Sequence, residues 1–300
     1  MAINRALIAK QLVPGINALF GDSYNAVPKT WDRIFQSLSS DRAYEEDVKL
    51  GAPGLAADKA EGSSVSYEQW GEEYTVRYQH TTVAKGFIIT EEAMEDNLYE
   101  RGAMRYARAI GRSMAITKEI KGAAILNNAF TAGSYAGGDG VALCSASHPV
   151  GSYTNSNTAA VDLSESALDA MYVAMSAWVD SGGKLFAARP NMLVIPPSQM
   201  STAERLLKTQ LRVDTANNDV NFLVTSNMLP GGYMVNQWLT DPDAWFVKTD
   251  VEHSLIHFKR SGMKKRMTED EDTFSMKVNF SERYTFGFSD PLGIYGSSGA

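Results

Sequence analysis

From Phe274 to Phe288 the sequence alternates without a break. Phe274, Met276, Val278, Phe280, Glu282, Tyr284, Phe286 and Phe288 fall on one side; Ser275, Lys277, Asn279, Ser281, Arg283, Thr285 and Gly287 fall on the other. Period-two alternation is the pattern of a half-buried strand. At ~3.3 Å per residue this one spans about 50 Å, whereas ordinary strands run about five or six residues. Glu282 is the one polar residue on the apolar side, and its burial is costly unless it is paired.

A second element is also unusually long. No proline interrupts Glu91 to Phe130, and Thr90 followed by "EEAMED" is a helix start. Met94, Leu98, Tyr106, Ile110 and Met114 recur at multiples of four, and Ile120, Ala124 and Ile125 continue the stripe. A continuous helix here would be a rod of roughly 60 Å. Gly102, Gly111 and Gly122 are positions where it would bend or break, and a spacing of four does not sustain the 3.5 repeat of a coiled coil.

Residues 1–40 carry weaker helical periodicity, from Leu7, Leu12, Ile16 and Phe20 to Trp31, Ile34, Phe35 and Leu38, cut by Pro14, Gly15 and Pro28. They read as an arm that packs on something else, or as an ordinary N-terminal helix. Tyr74, Val76 and Tyr78 alternate with polar neighbours, and residues 51–64 are Gly, Ala and Ser rich. Paired with residues 41–50, this strand makes a long hairpin with a polar, mobile tip, a length that loops in compact domains seldom reach without a role.

Two irregular stretches follow, "TAGSYAGGDG" and "CSASHPVGSYTNSNTAA". Ser164 caps an amphipathic helix with Leu168, Met171, Tyr172, Met175, Trp178 and Val179 on its stripe, ended by Gly182 and Gly183. Asn191–Pro197 reads as a buried strand. A helix starts at Ser201 or Thr202, and two further strands in "LPGGYMVNQWL" and "AWFVKT" are joined by a turn at Asp241-Pro242-Asp243.

Composition narrows the function classes. Twenty-eight Lys and Arg against 35 Asp and Glu give a net charge of −7, so no cationic face for nucleic acid follows from the totals. One cysteine, Cys144, excludes an intrachain disulfide and fits a reducing compartment. Neither a signal peptide nor an apolar run of about 20 residues is visible, which predicts a soluble product made in the cytoplasm, without membrane contact.

Chemistry-bearing motifs are sparse. His80, His148, His253 and His257 form no HExxH set; His253 and His257 share a face but lack a third ligand. Cys144 and His148 are a nucleophile and base only if something orients them, and an inert buried thiol is the simpler reading. "GSYAGGDG" lacks the Lys-Ser/Thr of a phosphate loop, and "TEDED" is a weak divalent-cation candidate or a solvated turn. No catalytic, cofactor or metal site is assigned. Lys264, Lys265 and Arg266, followed by Glu269, Asp270, Glu271 and Asp272, place opposite charges at one hairpin. That arrangement suits a head-to-tail contact with a second copy, the alternative being a solvated surface. An arm, a hairpin, a rod and a ribbon, each projecting surface one chain cannot bury, point to assembly.

"LSESALDAMYVAMSAW", "RPNMLVIPPSQMSTAERLLKTQLRV", "TANNDVNFL", "LPGGYMVNQWLTDPDAWFV" and "SERYTFGFSDPLGIYGSSGA" resemble, in order, tailed-bacteriophage major capsid proteins of the HK97-like fold, most closely the Mu-type major head subunit family. The resemblance spans roughly residues 160–298; upstream it is one of architecture. It implies an α+β fold with an N-terminal arm (1–40), an extended loop (41–90), and a spine helix and peripheral domain (91–159). An axial domain (160–245), a long peripheral sheet (246–289) and a tail returning to the axial domain (290–300) follow. It implies a non-enzymatic virion protein without cofactor. Hexamers and pentamers of this protein would form an icosahedral shell around double-stranded DNA, with portal, separate scaffolding and possible decoration proteins as partners. Related shells keep an acid–arginine pair at this point of the strand, so Glu282 and Arg283 are expected in a buried or intersubunit ion pair, Arg283 reaching a neighbour's loop. Some relatives weld their shells with a Lys–Asn isopeptide bond aided by a glutamate. Here those last two positions fall near Phe274 and Ser281, so no cross-link is expected. An encapsulin-like compartment is the alternative function; a hydrolase using Cys144 or His148 is the alternative from another class.

Overall fold

The computed structural model describes residues 18–68, 71–95, 99–133, 135–211 and 220–300. Leu7, Leu12, Pro14, Gly15, Ile16 and Leu98 lie outside the described residues. Two sheets organise the chain. The first has the order β1-β11-β12-β4, built from Gln36–Ser39 (β1), Leu255–Glu269 (β11), Met276–Phe288 (β12) and Thr81–Ile89 (β4). β12 is antiparallel to both β11 and β4, and β1 runs parallel to β11. The second has the order β7-β13-β10-β8-β9: Thr158–Ala159, Ile294–Ser297, Trp245–Thr249, Pro190–Ile195 and Tyr233–Val235.

The expected alternation forms β12, two residues shorter than the pattern suggests. Phe274 sits in the turn with a positive φ of 48°, 56% exposed, because the ladder closes at Glu269↔Met276. Val278, Phe280, Glu282 and Tyr284 are buried. Their cover is α4, Tyr99–Asn127, a helix of 29 residues and about 43 Å. Ala103, Ala107, Ile110 and Met114 pack on Val278 and Phe280. Residues 18–25 form α1, which lies in the same layer. Phe20 stacks on Phe280 with ring centroids 4.1 Å apart. Burying a side chain of this kind stabilises the layer by about 1.5–3 kcal/mol.

The glycines of α4 do not break it. A Cβ at Gly111 would sit 2.7 Å from the Phe20 carbonyl oxygen, and one at Gly122 would sit 3.1 Å from the Trp31 Cβ. Both positions let the N-terminal segment cross the helix closely. The expected stripe is corrected in detail: Tyr106 and Ile120 are 62% and 49% exposed, and the alanines at 103, 107, 115 and 123 take their place in the core.

Hydrogen-bond ladders move several boundaries. β4 belongs to the long sheet, so the extended hairpin comprises only Tyr44–Leu50 (β2) and Glu72–Gln79 (β3). β10 belongs to the second sheet, so the long sheet resumes at Leu255, not at 246. "SHPVGSYTN", expected to be irregular, contains the hairpin His148–Val150 (β5) and Tyr153–Asn155 (β6). In the second sheet's layer, α5 (Glu165–Ser176) is capped by Ser164 and buries Leu168, Met171 and Met175, while Tyr172 is exposed. The helix stops at Ser176; Gly183 instead turns the chain between Val179 and Leu185, with φ of 76°. β13, at the C-terminus, lies between β7 and β10, with Ile294 fully buried.

Candidate assembly surfaces and the charged sheet

The pleat of β12 sends Glu282 and Arg283 to opposite faces, so the two do not pair with each other within the chain. On the helix face, Glu282 Oε2 lies 3.7 Å from Lys118 Nζ and accepts a hydrogen bond from Tyr24 Oη at 3.1 Å. The Lys118 ammonium also lies 4.8 Å from the ring centroids of both Trp31 and Tyr284. Burial pushes the Glu282 carboxyl up and the Lys118 ammonium down; each charge partly offsets the shift of the other. Beside them Glu119 accepts from Thr30 N at 3.1 Å, from Trp31 N at 3.2 Å and from Thr30 Oγ1. It thereby caps the short helix α2, Trp31–Ile34. Tyr24, Trp31, Lys118, Glu119 and Glu282, with Lys29, Lys259 and His257, line a cavity of about 320 Å³.

Lys118 carries a sequence signal that the expectation missed. Ile110, Met114, Lys118, Gly122 and Leu126 recur at four and are all buried, so a lysine stands on an apolar helical stripe. A charge there demands a carboxylate across the interface, and Glu282 is the matching anomaly on the strand.

On the hairpin face, Arg283 neighbours Arg260 and His80. β11 departs from its register with β12 between Lys259 and Ser261 and again between Ser261 and Lys264, and Arg260 has no Cα partner in the ladder. Such bulges re-aim side chains. His80 is 5% exposed, and its Nε2 donates to Ser40 Oγ, which donates in turn to Glu45. Burial, then Arg283, push the imidazole down, so it is neutral.

The charge block lies at the far end of the β11–β12 hairpin. Lys264 and Arg266 are exposed on β11 and Lys265 is half-buried. Glu269, Glu271 and Asp272 are exposed, while Asp270 bonds Lys277 at 2.5 Å, which holds its carboxyl low. The block is thus split between a strand and its turn.

Cys144 is buried and its thiol is pushed up by desolvation. Both nitrogens of His148 are engaged: Nδ1 with Asp139 at 2.6 Å and Nε2 with Asn157 Oδ1 at 3.0 Å. His253 sits exposed in a turn at φ 53°, not on a strand face shared with His257, which is 1% exposed. Among the described residues no group of His, Cys, Asp and Glu is arranged to hold a metal ion, the "TEDED" turn included, and no helix is long and apolar enough to cross a membrane.

Among the described residues the two most exposed large apolar side chains lie in the loop of the β2–β3 hairpin. Leu55 and Tyr67, between β2 and β3, are 83% and 94% exposed, and Leu50 and Val65 lie beside them. The hairpin is anchored as far as the loop end of its ladder: Lys49, paired with Tyr74, bonds Asp290 at 2.9 Å, Tyr74 Oη donates to the Ser289 carbonyl at 3.0 Å, and Ala52 N donates to Ser181 Oγ at 2.6 Å. On the second layer, Val173, Leu185 and Phe222 are exposed.

The fold is similar to that of a virus-like particle protein from Pyrococcus furiosus, with a TM-score of 0.56 and 12% identity over 95% of this chain and 98% of that one. It is likewise similar to the capsid protein of cyanophage P-SCSP1u, with a TM-score of 0.58 and 12% identity over 91% and 88%. A third similarity is to a chain of the bacteriophage JBD30 capsid decorated with minor capsid protein trimers, with a TM-score of 0.56 and 14% identity over 71% and 92%. Among curated proteins, none matches the chain in sequence. The sequence model of the family described as Phage capsid protein matches residues 72–297, more than half of the chain. The chain therefore belongs to the phage capsid protein family, as a structural capsid protein of HK97-like fold.

Proposed function

We propose that this protein is the major head subunit of a tailed phage of the Mu type. Pentamers and hexamers close into an icosahedral shell around double-stranded DNA, assembled in the bacterial cytoplasm. The observation that carries this reading is the hairpin of β2 and β3. Its paired strands are fixed to the rest of the chain as far as Lys49, Tyr74 and Ala52, while Leu50 and, in the loop between the strands, Leu55, Val65 and Tyr67 stand in water. Apolar residues grouped on a projecting element mark a surface that a partner covers. In a shell the partner is another copy. Each contact is then weak alone, and closure makes the others effectively intramolecular.

The subunit acts without catalysis. The buried Cys144 thiol and the doubly engaged His148 offer neither nucleophile nor free base. A net charge of −7 suits loosely held DNA, since a strongly basic lining would oppose its release. A portal, a scaffolding protein and a decoration protein are the further partners of such a shell. The test is removal of the hairpin tip, residues 53–69, from the full chain. Subunits that fold but no longer form particles support the reading; particles of unchanged yield and heat resistance contradict it.

A compartment shell enclosing protein cargo is the second reading, favoured by the similarity to the virus-like particle protein over nearly the whole of both chains. Nuclease-protected DNA inside particles from the phage-producing host decides for the head; particles holding only protein decide for the compartment.

A further inference from the structure

Arg260 and Arg283 are close in the long sheet: Arg283 is the ladder partner of Ser261, the residue that follows Arg260. Both perturb the same buried histidine, His80. Neither guanidinium makes an ion pair or hydrogen bond among the described residues, and the Nε of each is buried without a partner. Glu45, a carboxylate that acts on the same histidine, accepts from Ser40 Oγ at 2.6 Å and makes an ion pair with neither arginine. Two like charges side by side, half-buried and without an anion, are unfavourable in one isolated chain. The planar fork of a guanidinium is matched to a carboxylate, which accepts two parallel bonds.

The same chain offers carboxylates that cannot reach this site in the same copy. Glu269, Glu271 and Asp272 surround the turn at the tip of β11 and β12, exposed and without ion pairs among the described residues. The turn is closed by Asp270 N donating to the Ser275 carbonyl at 2.9 Å. From Met276, at its base, to Arg283 is seven residues of continuous strand, about 23 Å. The tip therefore cannot fold back onto its own arginines. Lys264 and Arg266 are weaker receptors for it, because exposed ion pairs contribute little. Asp270 is already taken by Lys277.

We infer that the Arg260–Arg283 pair is a carboxylate receptor, filled by Glu269, Glu271 or Asp272 from the acidic turn of a neighbouring copy. The contact is heterologous: one copy's tip enters the next copy's sheet, so that every subunit is both donor and receptor. The inference rests on the shell reading above and adds to it a named contact and a direction.

The test uses the full-length chain and follows particle formation against protein concentration by sedimentation and negative-stain microscopy. Three variants are compared with wild type: Glu271→Arg with Asp272→Arg, Arg283→Glu, and all three changes together. Each reversal alone is expected to raise the concentration needed for particles by about tenfold or more, the factor one charge-assisted hydrogen bond carries. The combined variant is expected to return to within about threefold of wild type. Glu271 and Asp272 are exposed, so their reversal leaves the subunit folded even where Arg283→Glu does not. Arg283→Lys, which keeps the charge and loses the fork, is expected to fall between wild type and reversal. Wild-type particles with an unperturbed turn-reversed variant, or no rescue by the combined variant, overturn this contact and leave the shell reading standing. A wild-type chain that forms no particles overturns both.

Discussion

Lys118 Nζ lies 3.7 Å from Glu282 Oε2 across the interface between α4 and β12, with side chains 10% and 5% exposed. Removing one partner leaves the other charge buried and alone. Glu282→Ala and Lys118→Ala are each expected to destabilise the subunit by about 3–5 kcal/mol. Lys118→Met with Glu282→Leu is expected to cost much less than the sum. Denaturant unfolding of the dissociated subunit checks this. Strictly additive single losses would show that the two charges do not act as a pair.

His257 gives the subunit a dependence on acid. Burial, then Lys118 and Lys259 beside it, push its imidazole from 6.5 down to about 3, so the folded protein holds it neutral. The unfolded chain takes up the proton first. The contribution is therefore complete above about pH 6.5 and is lost as pH falls towards 3, by about 1.4 kcal/mol per pH unit inside that window. His257→Gln is expected to flatten this slope between pH 6 and 4 in thermal melts. An unchanged slope would place the acid sensitivity elsewhere.

His148 joins three segments. Asn157 Nδ2 donates to the carbonyls of Leu143, Pro291 and Ile294, and its Oδ1 accepts from Ser145 N, which fixes the amide's orientation. Asp139 and Asn157 Oδ1 thus hold both imidazole nitrogens in place. His148→Ala should loosen the C-terminal strand β13, seen as faster amide exchange at residues 294–297.

Covalent welding is not expected. Phe274 is in an exposed turn and Ser281 is a hydroxyl on β12, so the positions of the related cross-link carry no amide or carboxylate. Denaturing gels of heat-stable particles should show monomer-sized chains, and ladders of higher multiples would reject this.

The long strand and its cover could be read from the sequence because their periods are unbroken: β12 alternates, and α4 repeats at four without proline. The partner of Glu282 was not found that way. The resemblance points to Glu282 and Arg283 as members of a buried or intersubunit ion pair, but adjacent strand residues face opposite sides, and within the chain Glu282 is met by Lys118 from another element. Lys118 supplied the clue, a charge on an apolar stripe. Short strands such as β5, β6 and β7 were not legible, since two or three residues carry no period and are fixed by their neighbours. The Arg260–Arg283 pair depends on a bulge in β11, a register change that no local pattern announces.

The central claim is that the projecting hairpin and the charged sheet are completed by identical copies. Negative-stain microscopy of the purified full-length protein tests it most directly. Closed, uniform shells are the predicted result. A monodisperse population of single subunits, at every concentration and salt condition tried, would contradict it.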